Sequence, residues 1–238
     1  MQRIQGKIRK ALDEYNMIDE GDKIAIGVSG GKDSLVLLTA LSKIRKYYPK
    51  KFDIVAITVD MHNGESDLSK IQAYCASLEV EYKIVPSQIF ELLFSVRKEA
   101  NPCSLCTRMR RGILSETAIN LGCNKLALGH HADDLIETFF LSLFYESRLS
   151  TFLPVTHLDR TGITMIRPMI LTWEKETIAA SKSNNMPVFK NDCPADKNTN
   201  REYVKSLIKS IAPHIHQVHE HILSAILHPE RNHLFDSK

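Results

Sequence analysis

Apolar residues Ile4, Ile8, Ala11, Leu12 and Tyr15 recur at every third or fourth position, the stripe of an amphipathic helix over residues 2–17. The period then changes. Lys23-Ile24-Ala25-Ile26-Gly27-Val28 is short, rich in β-branched side chains and closed by Ser29-Gly30-Gly31, which predicts a buried strand entering a glycine turn. A helix is predicted from Asp33 to Tyr48. The alternation repeats with a strand Ile54 to Val59, a helix Ser66 to Leu78, a strand Tyr82 to Val85 and a helix Ile89 to Glu99. Residues 100–106 interrupt it, after which Arg108 to Leu121 predicts a helix, Lys125 to Leu128 a strand, and Asp133 opens another helix. Met165 to Pro168 reads as extended, Trp173 to Asn184 as helical, and Val188-Phe189 as a short extended piece. Two terminal helices follow, about Arg201 to Ile211 and His214 to Leu227, and the polar stretch Pro229 to Lys238 is expected to fray. This rhythm predicts an α/β fold: a doubly wound parallel sheet of about five strands with helices on both faces. The expected domains are residues 1–195 and a C-terminal helical appendage, 196–238.

Composition changes this picture little. With 43% hydrophobic and 25% charged residues among 238, the chain can bury a sizeable core. No apolar run reaches the roughly 18 residues of a membrane helix, and the first residues mix charge with apolar positions, so a soluble, cytoplasmic protein is expected. A net charge of +3 does not by itself imply a nucleic-acid partner, although Arg108, Arg110 and Arg111 concentrate positive charge on one helix start. Solvent exposure and a grip on RNA phosphates are both open for them. The five cysteines, Cys75, Cys103, Cys106, Cys123 and Cys193, include one Cys-x-x-Cys pair, which favours metal or redox chemistry over disulfides. Cys75 and Cys123 read as small core residues. The tail histidines read as a solvated helix face.

The strand-to-helix junction carries the sharpest chemistry. At Ser29-Gly30-Gly31-Lys32-Asp33-Ser34 the backbone N–H groups of a glycine turn and a helix N-terminus can cradle an anion, with Lys32 adding charge and the two serines hydroxyl donors. The run departs from the Walker A pattern, with Ile26 for its first glycine and Asp33 where Ser or Thr would hold magnesium. After the fourth strand, Leu128-Gly129-His130-His131-Ala132-Asp133-Asp134 brings carboxylates to the carboxyl end of a parallel sheet, where ligands of such sheets bind. Asp133 and Asp134 are suited to Mg2+ on ATP phosphates, and Asp133 is equally placed to cap the next helix. Asp60 ends the second strand as a nucleotide contact or a turn former. Arg167, before Pro168, is a phosphate contact or a surface arginine.

Ser29 to Ser34 resembles the SGGxDS loop of the PP-loop ATP pyrophosphatases, and Gly129 to Thr138 resembles their GHxxDDxxET element. The run from Pro102 through Arg111-Gly112 to Leu114, taken with these, resembles the TtcA family, the tRNA 2-thiocytidine synthetases, over most of residues 20–195. The resemblance implies adenylation of a pyrimidine 2-oxo group with release of pyrophosphate, then sulfur insertion. It implies ATP contacts from Ser29, Gly30, Gly31, Lys32, Asp33, Ser34, Asp60, Gly129, His130, Asp133 and Arg167, with Lys32, Asp33 and Asp134 carrying the chemistry. It also implies a [4Fe-4S] cluster on Cys103, Cys106 and Cys193. The implied partners are a tRNA anticodon-loop pyrimidine and a sulfide or persulfide donor such as a cysteine desulfurase, with a homodimer as a further expectation. Three alternatives stay open: another RNA or small-molecule substrate, an adenylating ligase with structural zinc, and a nucleotide-binding module without turnover.

Overall fold

A computed structural model of the protein describes residues 1–97, 102–189, 193 and 199–231. Helix α1 (Gln2–Glu14) precedes β1 (Asp22–Gly27), α2 (Lys32–Ile44), β2 (Phe52–Asp60), α3 (Ser69–Ser77) and β3 (Glu81–Pro86). A π-helical turn (Glu91–Val96) leads to α4 (Pro102–Asn120), β4 (Lys125–Ala127) and α5 (Ala132–Glu146). Then come β5 (Val155–Leu158), β6 (Ile163–Ile166), α6 (Glu174–Ser183), α7 (Asn200–Ile211) and α8 (Val218–Leu227). None of the helices among the described residues is long and apolar enough to cross a membrane.

The described residues fall into two compact units. The first, Met1–His131 with Pro154–Cys193, holds the sheet in the order β3-β2-β1-β4-β6-β5. Strands β1, β2, β3, β4 and β6 are parallel, and β5 runs antiparallel to β6. From β1 the chain winds outward through β2 and β3, then returns to add β4 on the other side, so the winding direction switches between β1 and β4. Crevices at such switch points, at the carboxyl ends of the strands, are where open α/β sheets bind ligands.

Alternate side chains of each strand serve opposite faces. Ala25, Val55, Ile57, Val59 and Leu126 join Leu93, Leu114 and Ala118 in one apolar layer under α4. On the other face α2 packs on β1 and β2, and is itself covered by α1 and α6. That position explains why Leu35 to Leu38 are all fully buried: a helix covered on every side is apolar all round. Each such leucine contributes about 1.5–3 kcal/mol over an exposed one.

The sheet has six strands where the sequence predicts about five. The extra one is β5, four residues bounded by Pro154 and the Gly162 turn, which pairs only at the edge. Helix α4 starts at Pro102, so Cys103 and Cys106 lie within its first two turns. Of the helix predicted over Ile89 to Glu99, Glu91–Val96 forms a π-helical turn, while Glu99 lies outside the described residues. Val188 and Phe189 form no strand; the Phe189 N–H instead donates to the Gly30 carbonyl at 2.9 Å.

The second unit comprises Ala132–Leu153 and Pro194–Lys238. Within it α7 and α8 pack on α5, which the sequence reading assigns to the first domain. Residues 194–198, which include the expected domain boundary, and the C-terminal end from 232 onward lie outside the described residues.

Candidate active site

In the first unit the turn after β1 and the start of α2 form a closed hydrogen-bonded knot. The Ser29 N–H donates to Ser34 Oγ at 3.1 Å, the Gly31 N–H to Ser29 Oγ at 3.3 Å, and Ser34 Oγ donates to the Gly31 carbonyl at 2.9 Å. Gly30 takes φ +80°, and a Cβ there would stand 2.9 Å from Phe189 Cβ, so glycine is required on both counts. With Gly31 as N-cap, the positive end of the 13-residue helix α2 opens at this turn, the arrangement that attracts a phosphate.

The loop after β4 closes onto the same helix start. A Cβ on Gly129 would stand 3.1 Å from both Asp33 C and Ser34 N, backbone atoms that cannot yield as a side chain can. His131 is buried, its Nε2 3.9 Å from Asp33 Oδ1. His130 is half-buried one residue earlier.

Two residues of α6, which the sequence reading did not single out, complete this neighbourhood. Thr177 Oγ1 donates to Asp33 Oδ1 at 2.6 Å, and Glu174 Oε1 meets the Lys32 ammonium at 3.1 Å. Lys32 also contacts Asp33 Oδ2 at 2.9 Å. Burial works against the Lys32 charge, but the Asp33 and Glu174 carboxylates outweigh it and the pKa is raised. The local signals for α6, an acidic first turn, Glu176 folding back on the Trp173 N–H and Lys182 in the last turn, suit any helix; its reach across the sequence to Asp33 has no local signature.

Beside the loop lies a small cleft, partly open to solvent, lined by Ser29, Asp60, Met61, His62, Arg110 and Phe189 among others. Asp60 is 3% exposed at the end of β2. Burial raises its pKa, yet donation from Ser66 Oγ at 2.6 Å and the His62 N–H at 3.0 Å, with further backbone N–H groups, leaves it lowered. Asp60 is therefore a held carboxylate on the wall of this cleft.

The three cysteines singled out in sequence share this unit. Cys103 is exposed, Cys106 and Cys193 half-buried. Burial pushes the Cys106 thiol up, Arg110 pulls it down, and the negative charges of Cys193 and then Cys103 push it up again, so the three sulfurs are electrostatic neighbours. Cys75 and Cys123 are buried; burial raises both thiols, Cys75 to about 11. Among the described residues no His, Cys, Asp or Glu group is gathered tightly enough for a single metal ion. Three thiols are one ligand short of a closed four-coordinate zinc site, whereas a four-iron cluster held by three thiolates is complete with one iron left open.

Arg167 is 6% exposed and does not line the cleft. Its Nη1 donates to Thr156 Oγ1 at 3.0 Å, and its pKa falls to about 10 through burial and then the charge of Arg111. It is not the surface arginine that the sequence left open.

In the second unit Asp133 and Asp134 occupy the first turn of α5 and are half-buried. Asp134 Oδ1 lies 3.6 Å from Arg201 Nη1. One or two carboxylates with substrate phosphates suffice for Mg2+, so a ligand from either residue needs no larger acidic cluster around it.

A family model described as a PP-loop domain matches residues 1–214. The chain is similar to a tRNA-cytidine(32) 2-sulfurtransferase of Syntrophotalea carbinolica, 35% identical over 96% of this chain and 89% of the relative. It is similar to the protein of that name from Aeromonas salmonicida, 34% identical over 99% and 79%. Among solved structures it resembles the U34-tRNA thiolase NcsA from Methanococcus maripaludis with its [4Fe-4S] cluster, at TM-score 0.77 and 23% identity, covering 100% of this chain and 80% of that one. The NH3-dependent NAD synthetase from Campylobacter jejuni matches at TM-score 0.53 and 14% identity, covering 96% and 93%. These two likenesses establish the fold.

Proposed function

Since the chain belongs to the PP-loop domain family, and within it to the tRNA-cytidine(32) 2-sulfurtransferases, we propose that it is a cytoplasmic, ATP-dependent enzyme that replaces a pyrimidine 2-oxo group of tRNA by sulfur. The observation that carries this reading is the hydrogen-bonded turn Ser29–Ser34 at the start of α2, in the same unit as Cys103, Cys106 and Cys193.

ATP places its β and γ phosphates on the N–H groups of Gly30 to Ser34, and its adenosine in the cleft beside Asp60. Lys32 leaves Glu174 to follow the phosphates. The 2-oxo oxygen of the base attacks the α phosphorus, forming an O–P bond as the bond to pyrophosphate breaks. Charge that builds on the leaving group meets preorganised donors in the loop, the arrangement that stabilises a transition state most. Asp133 or Asp134 would hold Mg2+, which would supply positive charge to offset the negative charge that develops on ATP. A sulfur nucleophile then adds at C2, the C2–O bond breaks and AMP leaves. Cys103, Cys106 and Cys193 would hold a [4Fe-4S] cluster, which supplies an iron without a protein ligand as a position for sulfur. Arg108, Arg110 and Arg111 grip RNA phosphates around an unstacked base. A desulfurase-type persulfide donor and pairing of two subunits belong to the same proposal.

The test is anaerobic protein assayed with ATP, sulfide and tRNA lacking the modification. Pyrophosphate release that depends on tRNA, with 2-thiocytidine found in the digested nucleosides, is expected. Zinc in place of iron, with turnover on ammonia, would establish an adenylating ligase instead.

A further inference from the structure

Beyond the residues the sequence motif names, we infer that Arg201 is a positioning residue for Asp134. The inference rests on the reading of Asp134 as a magnesium ligand.

Asp134, Glu137 and Thr138 follow the i, i+3, i+4 spacing that places side chains on one face of a helix, here along the first half of α5. Arg201 approaches that face from the start of α7, where Thr199 Oγ1 caps the helix by accepting from the Glu202 N–H. Its Nη1 lies 3.0 Å from Glu137 Oε2 and 3.6 Å from Asp134 Oδ1, and its Nη2 donates to Thr138 Oγ1 at 3.2 Å. One planar guanidinium thus spans three side chains of the acidic element.

The contacts differ in kind, and the difference assigns the role. Glu137 is 5% exposed, so its carboxylate is the fixed anchor; at 3.0 Å it makes a charge-assisted hydrogen bond that sets the plane of the guanidinium. Asp134, at 3.6 Å, is held by charge without a full hydrogen bond. Because Glu137 already offsets the guanidinium charge, the effect on Asp134 is to restrict its rotamers more than to oppose a bound cation. Lys205, one turn along α7, also acts on Glu137 and adds to the same seat. The two carboxylates therefore have separate tasks: Glu137 seats the arginine, and the arginine orients Asp134.

The experiment uses the full chain with Arg201→Met, Arg201→Lys, Asp134→Asn and the Arg201→Met/Asp134→Asn pair. Two quantities are measured: Mn2+ binding in the presence of a non-hydrolysable ATP analogue, by electron paramagnetic resonance, and the Mg2+ concentration for half-maximal pyrophosphate release. Loss of an orienting partner typically costs about 10–100-fold in metal affinity, so Arg201→Met should weaken both by about tenfold or more. The lysine variant should fall between, since a point charge cannot span the three acceptors. The double variant should be no worse than Asp134→Asn alone, the signature of two residues acting as one unit. Unchanged cation dependence in Arg201→Met beside a shifted Asp134→Asn overturns the inference and leaves the metal reading standing. Should Asp134→Asn itself bind Mn2+ normally, both fall. If the methionine variant does not fold, a lysine variant with wild-type Mn2+ affinity overturns the inference.

Discussion

The ammonium of Lys32 lies 3.1 Å from the carboxylate of Glu174, across 142 positions of sequence. Together with Asp33 at 2.9 Å, this contact holds the cation of the phosphate loop against α6. Phosphate must compete with Glu174 for it. Lys32→Ala should therefore lower pyrophosphate release by on the order of a hundredfold, as loss of a preorganised donor does. Glu174→Gln should act in the opposite sense on binding: a partly covered ion pair of this kind is worth about 1 kcal/mol, so ATP affinity should rise by about fivefold. A pyrophosphate-release assay checks the first and calorimetric titration of ATP the second; weaker binding in Glu174→Gln would show that the carboxylate helps the nucleotide instead.

Gly129 and Gly112 give a matched pair. A Cβ on Gly129 strikes backbone atoms of Asp33 and Ser34, and relief requires the loop to move. Gly129→Ala should cost about 1–3 kcal/mol of stability and weaken ATP binding. Gly112, within α4, has nothing near the added carbon, and alanine there should stabilise by about 0.5–1 kcal/mol. Thermal melts with and without ATP separate the two; an unperturbed Gly129→Ala would mean that the two loops have room to spare.

Replacing any of Cys103, Cys106 or Cys193 by alanine should bring iron content near background while ATP binding persists, because the loop uses backbone N–H groups and Lys32. Cys75→Ala and Cys123→Ala should keep iron and lose only about 1 kcal/mol of packing. Iron and acid-labile sulfide assays on anaerobically reconstituted variants decide it. Full iron in Cys193→Ala would remove that residue from the ligand set.

Asp60 links stability to pH. Its folded pKa is below the unfolded value of about 3.9, so its contribution is fully present above that value and is lost as pH falls through the folded one. Asp60→Asn should flatten the acid limb of the stability curve below about pH 4 and leave the neutral shape unchanged. Urea unfolding across that range provides the measurement, and an unaltered acid limb would mean that other carboxylates dominate it.

What was legible in sequence was what is encoded locally. Ser29 to Ser34 announces itself because turn, cap and charge fall within six consecutive positions. Asp60 follows from the end of a β-branched run. Strand β5 did not show, since four residues without alternation acquire strand character only by pairing with β6 at the sheet edge. Glu174, Thr177 and Arg201 did not show for a different reason. Each sits in an ordinary helical turn, and its meaning arises only when packing brings it to Lys32, Asp33 or Asp134.

Helix α6 touches more than the loop. Its Glu176 carboxylate accepts from the Trp173 N–H at 2.8 Å and pairs with Lys7 of α1 at 2.6 Å, while Thr177, the next residue, holds Asp33. Whatever tightens Asp33 on a nucleotide thus also tightens the seat of the first helix, and coupling of this kind is reciprocal. The amide protons of Ile4 to Leu12 become a remote gauge of occupancy. They should exchange more slowly when ATP is bound, although no atom of that helix needs to meet the nucleotide.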